Sequence, residues 1–433
     1  MLGIITLVIM LALELGFTVY CVVTKSHPRQ IKSRINLGLF VIMSILLLTG
    51  VIIWSFRWYM LFLFFMIRSL AAVWYLWKRK NQNQKTYKAK YVILSGMRNT
   101  LLVGFAILPA IVFPQFKPIE TTGKYMIETM SYTITDSDRT EAFDDTQQNR
   151  KVTYQLWYPK SSGEIFPLVV FSHGSFGFRG SNASTFEELA SNGYVVCSID
   201  HTYHAFFTKQ TDGKMVFANM DVIIDTIAAT NGDYDAQKTY ELSRGWLELR
   251  QQDMNFALEN IISRTKQANS DEVYQMIDTQ RIGLFGHSMG GATAAALGRE
   301  RSDIDAVIVV DGTMLGEEVG FEQGKAVLNS KEYPIPILNL YNEEHFAEAK
   351  QAGTDYANSY VTAHAQDARD IVIKGSGHLN FTDLPLFSPI LARLLGTGEV
   401  NSRYCVETMN QIILTYFNHY LKGVKDLELL SEY

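Results

Sequence analysis

Cysteine is scarce in this chain of 433 residues, with Cys21, Cys197 and Cys405 its only thiols. Three so widely spaced exclude a disulfide framework and a thiolate metal site, and each reads as a small buried apolar residue. Acidic side chains are almost missing from one end. Residues 1–116 hold 13 Lys or Arg against Glu14 alone, a charge of +12, whereas residues 117–433 hold 26 basic and 43 acidic side chains, a charge of -17. That split excludes one uniform soluble domain. The acidic larger part repels phosphate, which excludes a nucleic-acid binder. Internal repeats and low-complexity segments are absent as well.

Long apolar runs fill the basic end. Leu2–Val23 carries one charge and is long enough to cross a bilayer. It lacks the basic start and small-residue cleavage site of a signal peptide, so it is expected to be retained. Ile35–Phe56 and Trp58–Trp77, separated only by Arg57, predict a tight hairpin. Tyr91–Phe113 is the weakest of the four, interrupted by Ser95, Arg98, Asn99 and Thr100. Residues 1–116 thus predict an all-α, four-span transmembrane bundle. Lys25, Arg29, Lys32 and Arg34 fall between spans one and two, and Lys78, Arg79, Lys80, Lys85, Lys88 and Lys90 between spans three and four. Short basic loops stay in the cytoplasm. An integral protein of the cell membrane with residues 117–433 outside the cytoplasm follows; without the fourth span those residues would be cytoplasmic. Glu14, Arg68 and Arg98 lie at intramembrane positions, where a charge needs a partner. A Glu14–Arg68 pair inside the bundle accounts for two of them, and a transport pathway is the functional alternative.

Residues 117–433 alternate short β-branched runs with helical patterns. Strands are predicted at Val152–Tyr158, Leu168–Phe171, Tyr194–Ile199, Ile282–Phe285, Ala306–Val310, Ile335–Leu340 and Ile371–Ile373. Unbroken hydrophobicity over Val307–Val310 suits a strand covered on both faces, as in a parallel sheet. Ser184 and Glu187 form a capping-box pattern opening a helix through Ala190. Trp246–Ile262 and Gly290–Gly298 are further helices, and Met409, Ile413, Tyr416 and Tyr420 mark a last one. Asp136–Arg150, polar and acidic, predicts a solvated loop. The pattern is a doubly wound, mostly parallel α/β domain.

Within it, Gly286-His-Ser288-Met-Gly290 is a Gly-x-Ser-x-Gly motif between an apolar strand and a small-residue helix. That context identifies a nucleophile elbow, with Ser288 at the strand's carboxyl end and at a helix N-terminus. A serine hydroxyl needs a base, and the chain order Ser, acid, His follows. Of nine histidines, His378 fits best, following a strand through Lys374-Gly-Ser-Gly377. His345, His364 and His419 read as surface residues, and His287 as buried by the elbow. His201 and His204 read as substrate-loop or surface residues, since a metal there would lack a third spaced ligand. For the acid, Asp311 ends one strand and Glu343 and Glu344 end the next; spacing leaves the choice open. The amide of Met289 and that of Ser175, in the turn His173-Gly174-Ser175, are the expected oxyanion donors.

Residues 169–179 (VVFSHGSFGFR), 282–293 (IGLFGHSMGGAT), 309–314 (VVDGTM) and 373–383 (IKGSGHLNFTD) resemble the plasma and intracellular type II platelet-activating factor acetylhydrolases. The similarity runs from about Gly163 to Gly423. It implies an α/β-hydrolase that cleaves short or oxidised acyl chains from phospholipids, with Ser288 as nucleophile, Asp311 as acid and His378 as base. Thr202–Asp235 departs from the family and is free to shape an acyl pocket. The expected whole is a four-span anchor, residues 1–116, and a serine esterase domain, residues 117–433. Its partners are an ester or lipid substrate and the bilayer, and its chemistry requires no metal or organic cofactor. A polyester or acyl-peptide hydrolase is the alternative within the class, and a hydrolase-fold membrane receptor the alternative outside it.

Overall fold

Each apolar run at the basic end folds as a helix: α1 (Leu2–Val23), α2 (Arg29–Leu48), α3 (Phe56–Lys78) and α4 (Ala89–Val112), all long and apolar enough to cross a membrane. The computed structural model describes residues 2–78, 87–144, 147–161 and 163–433. Two units emerge, Met1–Lys117 with Leu386–Leu391, and Pro118–Pro385 with Ala392–Tyr433.

The helical unit is inverted relative to a water-soluble bundle. Val19, Leu70 and Phe105 are 61%, 63% and 64% exposed, whereas Glu14 is 6% exposed. The Glu14 carboxylate accepts from Lys32 Nζ at 2.8 Å, Arg68 Nη1 at 2.8 Å and Asn99 Nδ2 at 3.3 Å. One side chain comes from each of the other three helices. Sequence reasoning anticipated Arg68 alone, because it assigned Lys32 to a loop; α2 instead starts at Arg29 and carries Lys32 and Arg34. The hairpin also moves. α2 stops at Leu48, Gly50 takes a φ of 74° that side chains resist, and residues 49–55 make the connection, so that Arg57 lies inside α3. Arg98 is exposed on α4, and Arg79, Lys80 and Lys85 lie outside the described residues. Glu14→Leu would leave Lys32 and Arg68 without their counter-charge. It is expected to destabilise this unit by about 3–5 kcal/mol, read as the loss of resistance of the full chain to unfolding in detergent.

The second unit is built on an eight-stranded sheet in the order β1-β2-β4-β3-β7-β8-β11-β12. Its strands are β1 (Ile127–Thr140), β2 (Asn149–Pro159), β3 (Phe166–Ser172), β4 (Val195–Asp200), β7 (Ile277–His287), β8 (Ala306–Val310), β11 (Ile337–Asn342) and β12 (Ala368–Ile373). Two hairpins lie outside it, β5 (Phe207–Lys209) with β6 (Met215–Phe217), and β9 (Glu318–Glu322) with β10 (Lys325–Leu328). From β4 to β12 every pairing in the sheet is parallel, and β2 runs antiparallel to both β1 and β4. Strands β3, β4 and β8 are buried along their whole length, as their continuous hydrophobicity requires when helices cover both faces. The helices are α5 (Ala183–Ser191), α6 (Met220–Asn231), α7 (Ala236–Thr265), α8 (Glu272–Gln275), α9 (Met289–Glu300), α10 (Glu343–Ala352), α11 (Ala357–His364), α12 (Leu384–Phe387), α13 (Pro389–Leu395) and α14 (Ser402–Lys422). Residues 118–433 thus have an α/β-hydrolase fold.

Two expectations about its elements fail. β1 runs on to Thr140, and Asp136, Glu141 and Arg150 are buried rather than solvated, because the charges in this stretch pair with one another and with α7. Ser184 does not cap α5. The helix starts one residue earlier, at Ala183, and the Ser184 amide and hydroxyl both donate to Asp383, at 2.8 and 2.5 Å.

Candidate active site

Parallel strands all end on one edge of the sheet, so residues distant in sequence converge there. β7 runs into Ser288, whose φ of 55° and ψ of -126° place it in a strained region before α9 begins at Met289. The Ser288 amide donates to Val310 O at 2.8 Å, and its carbonyl accepts from Gly291 N at 2.8 Å. A Cβ at Gly290 would run into the carbonyls of Ser172 and His173, so only glycine lets α9 start against the end of β3. A Cβ at Gly174 would lie 2.8 Å from His287 Nδ1 and 3.2 Å from Ser288 Cβ. The turn after β3 and the elbow are therefore in direct backbone contact.

That turn carries Ser175. Together with Met289 it lines a cleft whose walls include Phe176, His204, Trp246 and Arg250. Val222 and Thr226 of α6 close one side, so part of the segment Thr202–Asp235 lines the cleft. Among the described residues neither the Ser175 nor the Met289 amide meets a protein acceptor. The His173 carbonyl accepts from Arg250 Nη1 at 2.6 Å, and His173 Nδ1 donates to Gly174 O at 2.7 Å.

Asp311 follows β8 with a φ of 50°, and its carboxylate accepts four hydrogen bonds. Asn342 N and His345 Nδ1 donate to Oδ1 at 2.8 and 2.9 Å; Asn342 Nδ2 and His378 Nδ1 donate to Oδ2, each at 2.6 Å. Burial pushes this acid up, but the bonds and charges of His345 and His378 outweigh it and hold the carboxyl well below the usual range. Glu343 and Glu344, at the start of α10, are both exposed; Glu343 accepts from Gly375 N at 2.9 Å. His378 is joined to Asp311 and to neither of them.

Its loop is fastened on both sides. Asn380 Oδ1 accepts from Gly377 N at 2.9 Å and Gly398 N at 2.8 Å, and Asn182 Nδ2 donates to Phe381 O at 2.6 Å. His287 Nε2 donates to His378 O at 3.1 Å, and the two rings lie 4.5 Å apart. Burial, then the neighbouring His378, lowers His287 to about 3, so this ring stays neutral. Among the described residues Ser288 Oγ has no hydrogen bond to His378. In a site without substrate this contact is often open.

The model of the family described as platelet-activating factor acetylhydrolase, isoform II, matches residues 153–429 and runs through Thr202–Asp235 as well. The chain belongs to that family. It is 25% identical over 274 residues to the platelet-activating factor acetylhydrolase of Cavia porcellus, with 61% of this chain and 59% of that protein covered. It is 24% identical over 221 residues to a probable 1-alkyl-2-acetylglycerophosphocholine esterase of Arthroderma benhamiae, with 51% and 49% covered. The chain spans about 60% of the length of the curated acetylhydrolases it matches. Among solved structures, a ferulic acid esterase from Streptomyces cinnamoneus has the same fold, with a TM-score of 0.55, 21% identity, and 72% of this chain and 95% of that chain covered.

Beneath this acetylhydrolase-family site lies a buried ionic network that sequence reasoning missed. Arg150 of β2 grips Asp253 of α7 through Nε at 2.7 Å and Nη2 at 2.6 Å, and Nη1 reaches Glu141 at 3.0 Å. His201 Nδ1 donates to Asp253 at 3.2 Å, and its Nε2 accepts from Ser172 Oγ at 2.8 Å, one residue before the oxyanion turn. His201 and His204 are thus buried rather than on the surface, His204 on the cleft wall, and His345 is partly buried, its side chain 17% exposed. The separation of 103 residues between Arg150 and Asp253 explains why no local pattern announces them.

Four buried histidines, His173, His201, His204 and His287, are held below their ordinary value, chiefly by burial, with His201 at about 4. A histidine lowered in the folded state takes up its proton more readily when unfolded. It therefore contributes stability that is complete above about pH 6.5 and is lost as pH falls towards the folded value. The unfolding free energy of the full chain in detergent is expected to fall between pH 6.5 and 4, by up to about 1.4 kcal/mol per pH unit for each such ring, read as a falling melting temperature. A flat profile over that window would contradict the neutral, buried assignment.

Proposed function

We propose that the chain is a membrane-anchored serine hydrolase of carboxylic esters, of the short-acyl or phospholipid type, working through an acyl-enzyme. The observation that carries this reading is the 2.6 Å bond from His378 Nδ1 to buried Asp311, beside the elbow that presents Ser288. A carboxylate at Nδ1 puts the ring's proton there and leaves Nε2 free to accept. Nε2 takes the proton of Ser288 as Oγ attacks the ester carbonyl. The tetrahedral oxyanion is stabilised by the amides of Ser175 and Met289 and by the N-terminus of α9. His378 then returns the proton to the leaving alcohol, and water releases the acid from Ser288 by the same steps in reverse. Strained φ at Ser288 is consistent with a nucleophile held exposed. The relatives' names support the ester class, and the names of the acetylhydrolases and of the acetylglycerophosphocholine esterase support a short acyl group.

Residues 1–116 act as the anchor in this reading and residues 117–433 as the catalytic domain. The exposed apolar shell of the four helices supports a lipid environment, and four spans with basic connections support an extracytoplasmic domain. The experiment combines a fluorophosphonate probe on isolated membranes with turnover of p-nitrophenyl esters of increasing acyl length. Labelling and a fall in kcat/KM beyond short chains are expected. Absence of labelling on the folded chain would sink the mechanism, and equal turnover at all lengths would sink the short-acyl preference. Protease added to intact cells is expected to cleave residues beyond 117; protection would reverse the orientation.

A further inference from the structure

His345 is the second imidazole on the carboxylate that holds His378. Its Nδ1 donates to Asp311 Oδ1 at 2.9 Å while His378 Nδ1 donates to Oδ2 at 2.6 Å. Nε2 lies 2.6 Å from Tyr356 Oη, which lies 2.8 Å from Thr313 Oγ1. With His345 neutral, one arrangement of protons satisfies every contact. An ionised carboxylate can only accept, so both Nδ1 atoms carry protons. Neutral His345 then accepts at Nε2 from the Tyr356 hydroxyl, and Tyr356 accepts from Thr313. All these bonds point towards Asp311, and a chain so aligned polarises each of its members. Asn342 also binds Asp311, at 2.8 and 2.6 Å, but it offers no ring whose charge can change.

We propose that His345 is a second positioning histidine of this hydrolase, acting through Asp311 on His378 and held in its tautomer by Tyr356 and Thr313. The inference rests on the triad proposed above. Donation from His345 draws negative charge from Asp311 away from His378. Without it the carboxylate holds the His378 proton more tightly, and the acid limb of kcat/KM moves to higher pH. A protonated His345 would draw charge more strongly, so the direction is the same in either state. His378 is faced by Asp311 from the end of β8 and by His287 from the end of β7. Asp311 also acts on the buried Cys405 thiol of α14, and Tyr356 is within range of Glu318 and Glu348. His287, neutral down to about 3, cannot supply the shift.

The test uses the full chain in detergent with p-nitrophenyl acetate between pH 5 and 9, comparing His345→Phe, His345→Asn and Tyr356→Phe, with exposed His364→Ala as control. His345→Phe is expected to lower kcat about 10- to 100-fold with KM nearly unchanged, the size of one hydrogen bond to a charged group, and to raise the acid limb. Tyr356→Phe is expected to move both readings the same way by a few-fold. His345→Asn, whose amide can replace Nδ1, is expected to recover most of the rate. An unmoved acid limb in His345→Phe, or equal losses in His345→Phe and His345→Asn, overturns the proposal. If His345→Phe does not fold, an unchanged kcat and limb in Tyr356→Phe overturns it. Should Asp311→Asn keep full activity, the triad itself fails; should Asp311→Asn be inactive while the His345 and Tyr356 variants match wild type, only the role of His345 fails.

Discussion

Ser288→Ala is expected to lower kcat on a short ester by roughly 10⁴- to 10⁶-fold, with the chain still folded. The size follows from what is removed. In the proposed mechanism the hydroxyl is the atom that joins the acyl group, and no neighbouring group can replace it, since His378 would act as a base and the amides of Ser175 and Met289 could only stabilise charge. Residual rate would come from those amides and from binding. Folding should survive because Ser288 is held by its backbone: its amide donates to Val310 O and its carbonyl accepts from Gly291 N. Fluorophosphonate labelling should vanish in the same variant. Labelling that persists would place the nucleophile elsewhere.

Asp311→Asn is the second large effect, roughly 10⁴-fold in kcat, and the hydrogen bonds say how it arises. Oδ1 accepts from the Asn342 backbone amide, a donor that cannot reverse, so the carbonyl of an asparagine must occupy that side. Its amino group then replaces Oδ2 and faces His378 Nδ1. Two donors cannot share that contact. The ring must move its proton to Nε2, where it can no longer accept from Ser288. Glu343→Gln and Glu344→Gln change exposed side chains that do not touch His378, and kcat should stay within about twofold for surface changes of this kind. A reversal of that order would make one of the glutamates the acid.

The two variants also mark how far the chain could be read from its residues. Ser288 and His378 are legible because their signals are local: glycines flanking a serine after an apolar strand, and a glycine-rich loop before a histidine. Spacing left the acid open, and only the family resemblance favoured Asp311, because β8 and β11 are adjacent parallel strands that end on the same edge, so that Asp311, Glu343 and Glu344 are equally placed by spacing. Side-chain direction decided the contact, and that depends on register. His345 was read as a surface residue because α10 is otherwise polar; only the fold shows that its third residue turns back to Asp311. The Arg150–Asp253 pair joins β2 to α7 and leaves no trace in either segment. In the helical unit, lengths and apolarity were legible, but the ends of α2 depended on where Gly50 could turn and on Lys32 finding Glu14.

That last contact bears on how the protein is made. Glu14 lies on the first of the four helices in chain order, whereas Lys32, Arg68 and Asn99 follow 18, 54 and 85 residues later. In a bilayer, α1 carries an unmatched carboxylate until the remaining helices arrive to meet it. If the four helices span a bilayer as proposed, α1 is expected to settle only together with the other three. On that proposal, exchanging the four helices for a single apolar one is expected to keep a tether and to remove the step at which assembly waits for its last member.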